Sequence, residues 1–132
     1  MTGRRALDGH KFEQRVQAVP AAVGLLRDLT EFHLSMWGLA ALAPDLVLIV
    51  SELATNAVNA APDRLIDMRV SVNGQEVRIE LEDPVRDPPR LRDAEPDELG
   101  GRGLGIVDLL ADEWGAQQEP DGKVVWVRYL IR

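Results

Sequence analysis

Glu52, Asn56 and Asn59 are the first residues in this chain whose types and spacing could do chemistry. They lie in "ELATNAVNAA", residues 52–61, a stretch otherwise small or apolar. Steps of four and three residues stack them on one face of a helix. An amide offers a neutral oxygen to a hard cation, and a carboxylate one turn away can act as a base or orient water. One amide oxygen does not hold Mg²⁺ alone. The ion keeps waters and relies on substrate phosphates, so the stripe makes most chemical sense with a nucleotide across it. A solvent-facing stripe, or a polar network satisfying a nearby loop, accounts for the same pattern.

Two further groups stand later in the chain. Gly100-Gly101-Arg102-Gly103-Leu104-Gly105 opens into "IVDLLADEW". A glycine-rich turn at a helix start offers free backbone N–H groups to an anion, and Arg102 can add a charge-assisted contact to phosphate. No Gly-Lys-Ser/Thr follows, so this is not a Walker A loop, and no strand feeds into it as a Rossmann fingerprint requires. A hinge with a helix cap explains the cluster equally well. Asp83 ends a strand beside a long loop, where its carboxylate can accept a hydrogen bond from an amino group on a bound ring. An Asp before Pro84 is also a common turn initiator.

The elements that must position these residues follow from periodicity. A strand is expected around Phe12–Ala18, after a loose tail over residues 1–11. Pro20 suits a first helical turn. Val23, Leu26, Leu29 and Leu34, with Leu25, Phe32 and Met36 beside them, predict a helix that stops at Gly38. Pro44 and Asp45 open a second helix and Pro62 ends it. This helix is apolar on most of its circumference, and so is expected to be largely buried. Alternation over residues 65–82 around Asn73-Gly74 predicts a hairpin with one buried face. Residues 84–100, rich in proline and charge, read as a long surface loop. A helix from the glycine cluster to about Gly115 and two strands around Pro120-Asp121-Gly122 complete the chain. The order predicts a two-layer α+β sandwich, with helices on one face of a mixed, mainly antiparallel sheet.

Composition narrows the function classes. A chain of 132 residues favours one domain, and 45% hydrophobic with 28% charged residues is an ordinary globular balance. The formal net charge of −7 argues against a nucleic-acid backbone as direct partner. With no cysteine and two histidines, thiolate zinc sites and histidine-rich metal sites are disfavoured. No signal peptide is read at the N-terminus, and no run is read as long enough to span a bilayer, so a cytoplasmic location is expected.

Taken in order, the boxes resemble the GHKL (Bergerat-fold) ATP-binding domains, and among them the anti-sigma-factor serine/threonine kinases. "ELATNAVNAA" resembles the N box, "ELEDP" the adenine-binding strand end, "GGRGLGIVDLLADEWG" the second glycine box and "DGKVVWVRYLI" the closing strands. The resemblance covers about residues 12–132. It implies ATP and Mg²⁺ as ligands, with Asn56 on the metal and Glu52 as the base toward a substrate serine or threonine hydroxyl. It further implies Asp83 on the adenine amino group, residues 84–100 as an ATP lid, and Gly101, Arg102 and Gly103 around the phosphates with Leu104 behind them. Asn59 continues the stripe and is counted with the nucleotide-binding residues, although the resemblance gives it no task. Implied partners are a sigma factor and an anti-sigma antagonist protein, with a homodimer allowed; direct nucleic-acid and membrane partners are not expected.

Three positions depart from the family pattern. No glycine follows Asp83 until Gly100, Ala60 stands where a histidine often ends the N box, and Val124 stands where a threonine commonly supports the adenine. These departures keep open a non-catalytic binding module of the same fold. A subunit of a larger ATPase assembly is a lesser alternative, because the sequence shows no second domain to transduce hydrolysis. No phosphoacceptor histidine segment precedes the domain in this sequence, so a complete sensor histidine kinase is not expected.

Overall fold

The computed structural model describes residues 9–86 and 103–132. Its elements run β1 (Lys11–Gln17), α1 (Pro20–Met36), a 3₁₀ turn (Ala40–Leu42), α2 (Ala43–Ala60), β2 (Leu65–Asn73), β3 (Glu76–Asp83), α3 (Gly103–Leu110), β4 (Glu113–Glu119) and β5 (Gly122–Leu130). The strands form one five-stranded sheet in the order β1-β2-β3-β5-β4. Every described pairing is antiparallel, so the mixed character expected from the sequence is absent among them.

Alternation divides the sheet into two faces. Ile66, Met68, Val70 and Val72 of β2, Val77, Ile79 and Leu81 of β3, and Val125 and Val127 of β5 are buried beneath the helices. The residues between them carry ion pairs on the outer face. Arg69 bonds Glu80 at 3.0 Å and Glu82 at 3.1 Å, and the Arg78 guanidinium lies 5.0 Å from the Trp126 ring centroid.

The helices begin and end for local reasons. Pro20 and Pro44 stand in first turns, where a missing N–H costs nothing. After α1, Gly38 turns left-handed at φ 76°. Its N–H then reaches Ser35 O at 3.1 Å and the Leu39 N–H reaches Leu34 O at 2.8 Å, a Schellman stop. α2 lies between α1 and α3 and also touches β3. Leu46, Ile49, Val50, Leu53, Ala54 and Ala57 put its apolar side into the core. Tyr129 of β5 donates to Asp45 Oδ2 at 2.6 Å, tying the sheet to the first turn of α2; this bond raises the phenol pKa to about 12.

Several sequence expectations change. The helix after the glycine cluster ends at Leu110, not near Gly115, because Glu113–Glu119 pairs with β5. Gly115 lies opposite Trp126, and a Cβ there would stand 2.9 Å from the ring, so the indole fills the place a side chain would take. The hairpin loop is Gly74-Gln75 rather than Asn73-Gly74, since Asn73 pairs with Glu76; Gly74 carries the positive φ of 63°. Backbone pairing reaches back to Gly9, whose N–H meets Val72 O at 3.3 Å, into the stretch read as a loose tail. Leu25, Phe32 and Met36 of α1 face outward instead of joining the core stripe. The segment Ala40–Ala60 is, against expectation, 21 residues and apolar enough to cross a membrane by length and composition. Of the segment read as a lid, residues 87–100 lie outside the described residues.

Candidate functional site

α2 carries the polar stripe. Its buried side is spent on Leu53, Ala54 and Ala57, which turns Glu52, Thr55 and Asn56 to a half-buried flank and leaves Asn59 exposed. Burial raises the Glu52 pKa above its ordinary value, and no partner charge offsets it. Among the described residues, no side chain hydrogen-bonds Glu52, Asn56 or Asn59. An amide oxygen without a partner, one turn from a carboxylate without a partner, fits a hard cation held mainly by phosphate oxygens and water. Among the described residues, no cluster of three His, Asp or Glu side chains could hold a metal by itself.

The far end of the sheet is arranged differently. Asp83 closes β3 directly opposite Lys123 of β5, and paired residues on antiparallel strands face the same side. The Lys123 ammonium lies 3.1 Å from Asp83 Oδ1, with the two side chains 1% and 3% exposed. Oδ1 also accepts the Val85 N–H at 2.9 Å, an Asx turn across Pro84. Lys123 donates in addition to Val85 O at 3.0 Å. The residue read as a turn initiator does initiate a turn, and the same oxygen holds a buried cation.

The backbone is equally tight here. A Cβ on Gly122 would lie 2.0 Å from Asp83 O and 2.9 Å from Pro84 Cα, so only glycine allows β5 to start against the exit of β3. Beside Asp83 a cleft of about 200 Å³ is lined by Arg15, Asp67, Glu82 and Asp121, among others. Arg15 is already paired with Asp67 at 2.9 Å, so the uncompensated charge of this cleft is negative and repels phosphate.

Leu104 is buried in the core that also holds Leu53, Ala57 and Leu81, and Gly103 begins α3. Gly101 and Arg102 lie outside the described residues. α2 touches both β3 and α3, which brings the elements carrying the stripe, Asp83 and Leu104 together. No hydrogen bond or ion pair among the described residues links Glu52 or Asn56 to Asp83.

Sequence reasoning missed Lys123. It looked to Val124 as the position where a threonine commonly supports the adenine, and Val124 pairs with Glu82, on the face opposite Asp83. The available signal was a lone cation between Gly122 and the apolar run "VVWV", but one residue of register decides which side chain meets Asp83.

Comparison with known proteins agrees with this architecture. The sequence profile of the histidine kinase-like ATPase domain matches residues 16–129. No curated protein matches the chain in sequence. The crystal structure of the RsbU and RsbW domains of Rv1364c from Mycobacterium tuberculosis superposes with a TM-score of 0.70 at 19% identity, over 92% of this chain and 32% of that one. The histidine kinase domain of the Erythrobacter litoralis EL346 blue-light activated histidine kinase gives a TM-score of 0.51 at 27% identity, over 67% of this chain and 44% of that one. The chain thus spans about a third of the first protein and under half of the second. With the profile match over residues 16–129 and the antiparallel sheet under its helices, the chain belongs to the histidine kinase-like ATPase domain family, of the GHKL type.

Proposed function

We propose that this chain is an ATP-binding regulatory kinase of the anti-sigma type, acting in the cytoplasm on a small antagonist protein and exchanging that partner for a sigma factor. The observation that carries the reading is Glu52, whose pKa is raised by burial with no partner among the described residues, one turn from an Asn56 amide that is also unpartnered among them. A partly buried carboxylate of raised pKa is a stronger base than a free one and suits proton abstraction. Bound Mg-ATP supplies the phosphoryl group and the metal charge. Asn56 would hold the metal side of the nucleotide, and Gly101, Arg102 and Gly103 would receive the phosphates. Glu52 takes the proton of the substrate serine or threonine hydroxyl as its oxygen bonds the γ-phosphorus and the bond to ADP breaks. Positioning and charge neutralisation carry most of the rate.

The test is calorimetric titration of Mg-ATP into the wild type and Asn56→Ala, with transfer of labelled phosphate to a co-encoded antagonist followed in parallel. Asn56→Ala is expected to lose most of the Mg-ATP heat. Glu52→Ala is expected to keep ATP affinity and lose transfer by about 10²–10⁴-fold, the usual worth of a general base. A large loss of ATP affinity in Glu52→Ala would contradict the base role.

One observation favours a second reading, a non-catalytic module that sequesters a protein partner: the carboxylate expected to read the base is already engaged by Lys123. Binding of Mg-ATP without transfer to any antagonist would support it.

A further inference from the structure

We propose that the sheet edge at β1, with the outer side of α1 above it, is a docking surface for a second copy of this chain. The two copies join by antiparallel pairing of β1 with the same strand of the other copy, about a two-fold axis at Gln14. The inference goes beyond the nucleotide reading and does not depend on it.

β1 is the end strand of the sheet, and among the described residues nothing pairs with its outer side. The Ala18 N–H donates to Arg64 O at 2.7 Å and the Val72 N–H to His10 O at 2.8 Å, so even-numbered residues of this segment turn their backbone groups toward β2. By alternation, Lys11, Glu13, Arg15 and Gln17 direct theirs outward. The Gln14 side-chain amide already donates to one of these outward carbonyls, Arg15 O, at 3.0 Å.

Charge on an edge strand usually blocks pairing with another chain. In "KFEQRVQ" it fits a two-fold axis instead. With the axis at Gln14, Glu13 faces Arg15 of the second copy, twice over, and Phe12 faces Val16. The same register sets outward backbone groups against outward backbone groups, Glu13 against Arg15 and Lys11 against Gln17. Moving the axis to Glu13 or to Arg15, the neighbouring registers that keep those groups opposed, brings like charges face to face. Glu13 has no partner among the described residues. Arg15 gives Nε and Nη2 to Asp67, at 2.9 and 3.3 Å, and keeps Nη1 for a second carboxylate. The other edge strand, β4, lacks this match, because a two-fold axis at its centre would set Glu113 against Glu119.

α1 extends the surface. Leu25, Leu29, Phe32 and Met36 follow one another at steps of four, three and four residues, the spacing of a helix seam. Leu25, Phe32 and Met36 are 46%, 56% and 63% exposed. The stripe lies on the β1 side of the helix: Phe12 stacks on His33 at 4.0 Å between ring centroids, and Phe32 meets the edge of that imidazole at 5.3 Å. Arg27 and Glu31, on the other side of α1, line a cleft with Val47 and Leu48 of α2. Strand pairing about Gln14 therefore brings the two apolar stripes together above it, and covers the open flanks of Phe12 and Val16.

Sedimentation velocity on the wild type at tens of micromolar is expected to show a dimer. Glu13→Arg sets Arg against Arg15 at both contacts, and Arg15→Glu sets Glu against Glu13; each alone should weaken the dimer at least about tenfold. Mixed in equal amounts, the two variants are complementary at both contacts and should dimerise as the wild type does. Because the chain has no cysteine, Gln14→Cys gives a clean cross-link. It should form a disulfide-linked dimer under mild oxidation, whereas Lys11→Cys should not, since six residues of register separate the two copies of that position. A wild-type monomer overturns the proposal. So does a dimer that both charge variants leave intact, a mixture that does not recover it, or equal cross-linking at the two cysteine positions. Should a charge variant fail to fold, the cysteine pair decides alone.

Discussion

The two ends of the candidate site treat polar groups in opposite ways. On α2, Glu52 and Asn56 stand half-buried with no partner among the described residues. Where β3 meets β5, Asp83 and Lys123 are almost wholly buried and bonded to each other and to both backbone groups of Val85. A helix flank can leave groups unpaired because solvent reaches them, at the modest penalty seen in the raised Glu52 pKa. A sheet interior cannot, because an unpaired charge there loses its hydration without compensation. The difference separates groups that stand open on a helix flank from groups that hold one another inside the sheet.

The comparison breaks most sharply if the buried pair is cut. Asp83→Ala leaves the Lys123 ammonium uncompensated and is expected to cost about 3–5 kcal/mol in urea unfolding. The double variant Asp83→Ala with Lys123→Met should recover much of that loss, since neither charge then remains. A single variant within about 1 kcal/mol of wild type would show that the pair is not buried in solution.

Gly122→Ala tests the close approach that fixes the pair in place. With a methyl carbon 2.0 Å from Asp83 O, β5 must shift along much of its pairing with β3. Overpacking of this kind is expected to lower stability by about 1–3 kcal/mol, again read from the urea midpoint. An unchanged midpoint would mean the strands have slack that the structure does not show.

The smallest effect belongs to the unpaired end, and its sign is reversed. A folded-state pKa raised above the unfolded one gives a stability contribution that is full below the unfolded value, near 4.5, and is lost as pH rises through the folded value. Glu52→Gln escapes that loss. The variant should match wild type at pH 4 and exceed it at pH 7, by less than about 1 kcal/mol because solvent screens the partly exposed carboxylate. Greater stability in wild type at pH 7 would mean that Glu52 has a cationic partner and is no free base.

Much of this was legible in the sequence because it is written in local periods. The 3.6-residue stripe of α2, the alternation of β2 and β3, and the prolines and glycines that bound them fix the elements and place Glu52 and Asn56 one turn apart. The end of α3 was misread, since "ADEWG" continues an apolar helical pattern and only pairing with β5 makes it strand. The outward turn of Leu25, Phe32 and Met36 was equally hidden, because a helix with apolar residues on several sides does not say which side meets the core.

By itself the sequence determined which residues could do chemistry: an acid and an amide on one helix face, an acid at a strand end, and a glycine cluster at a helix start. Only the tertiary structure decided which of them are available. Asp83 and Lys123 stand 40 residues apart, and nothing local joins them. The antiparallel register of β3 against β5 brings Lys123, and not Val124, to the carboxylate, because strand side chains alternate and a shift of one residue exchanges the faces.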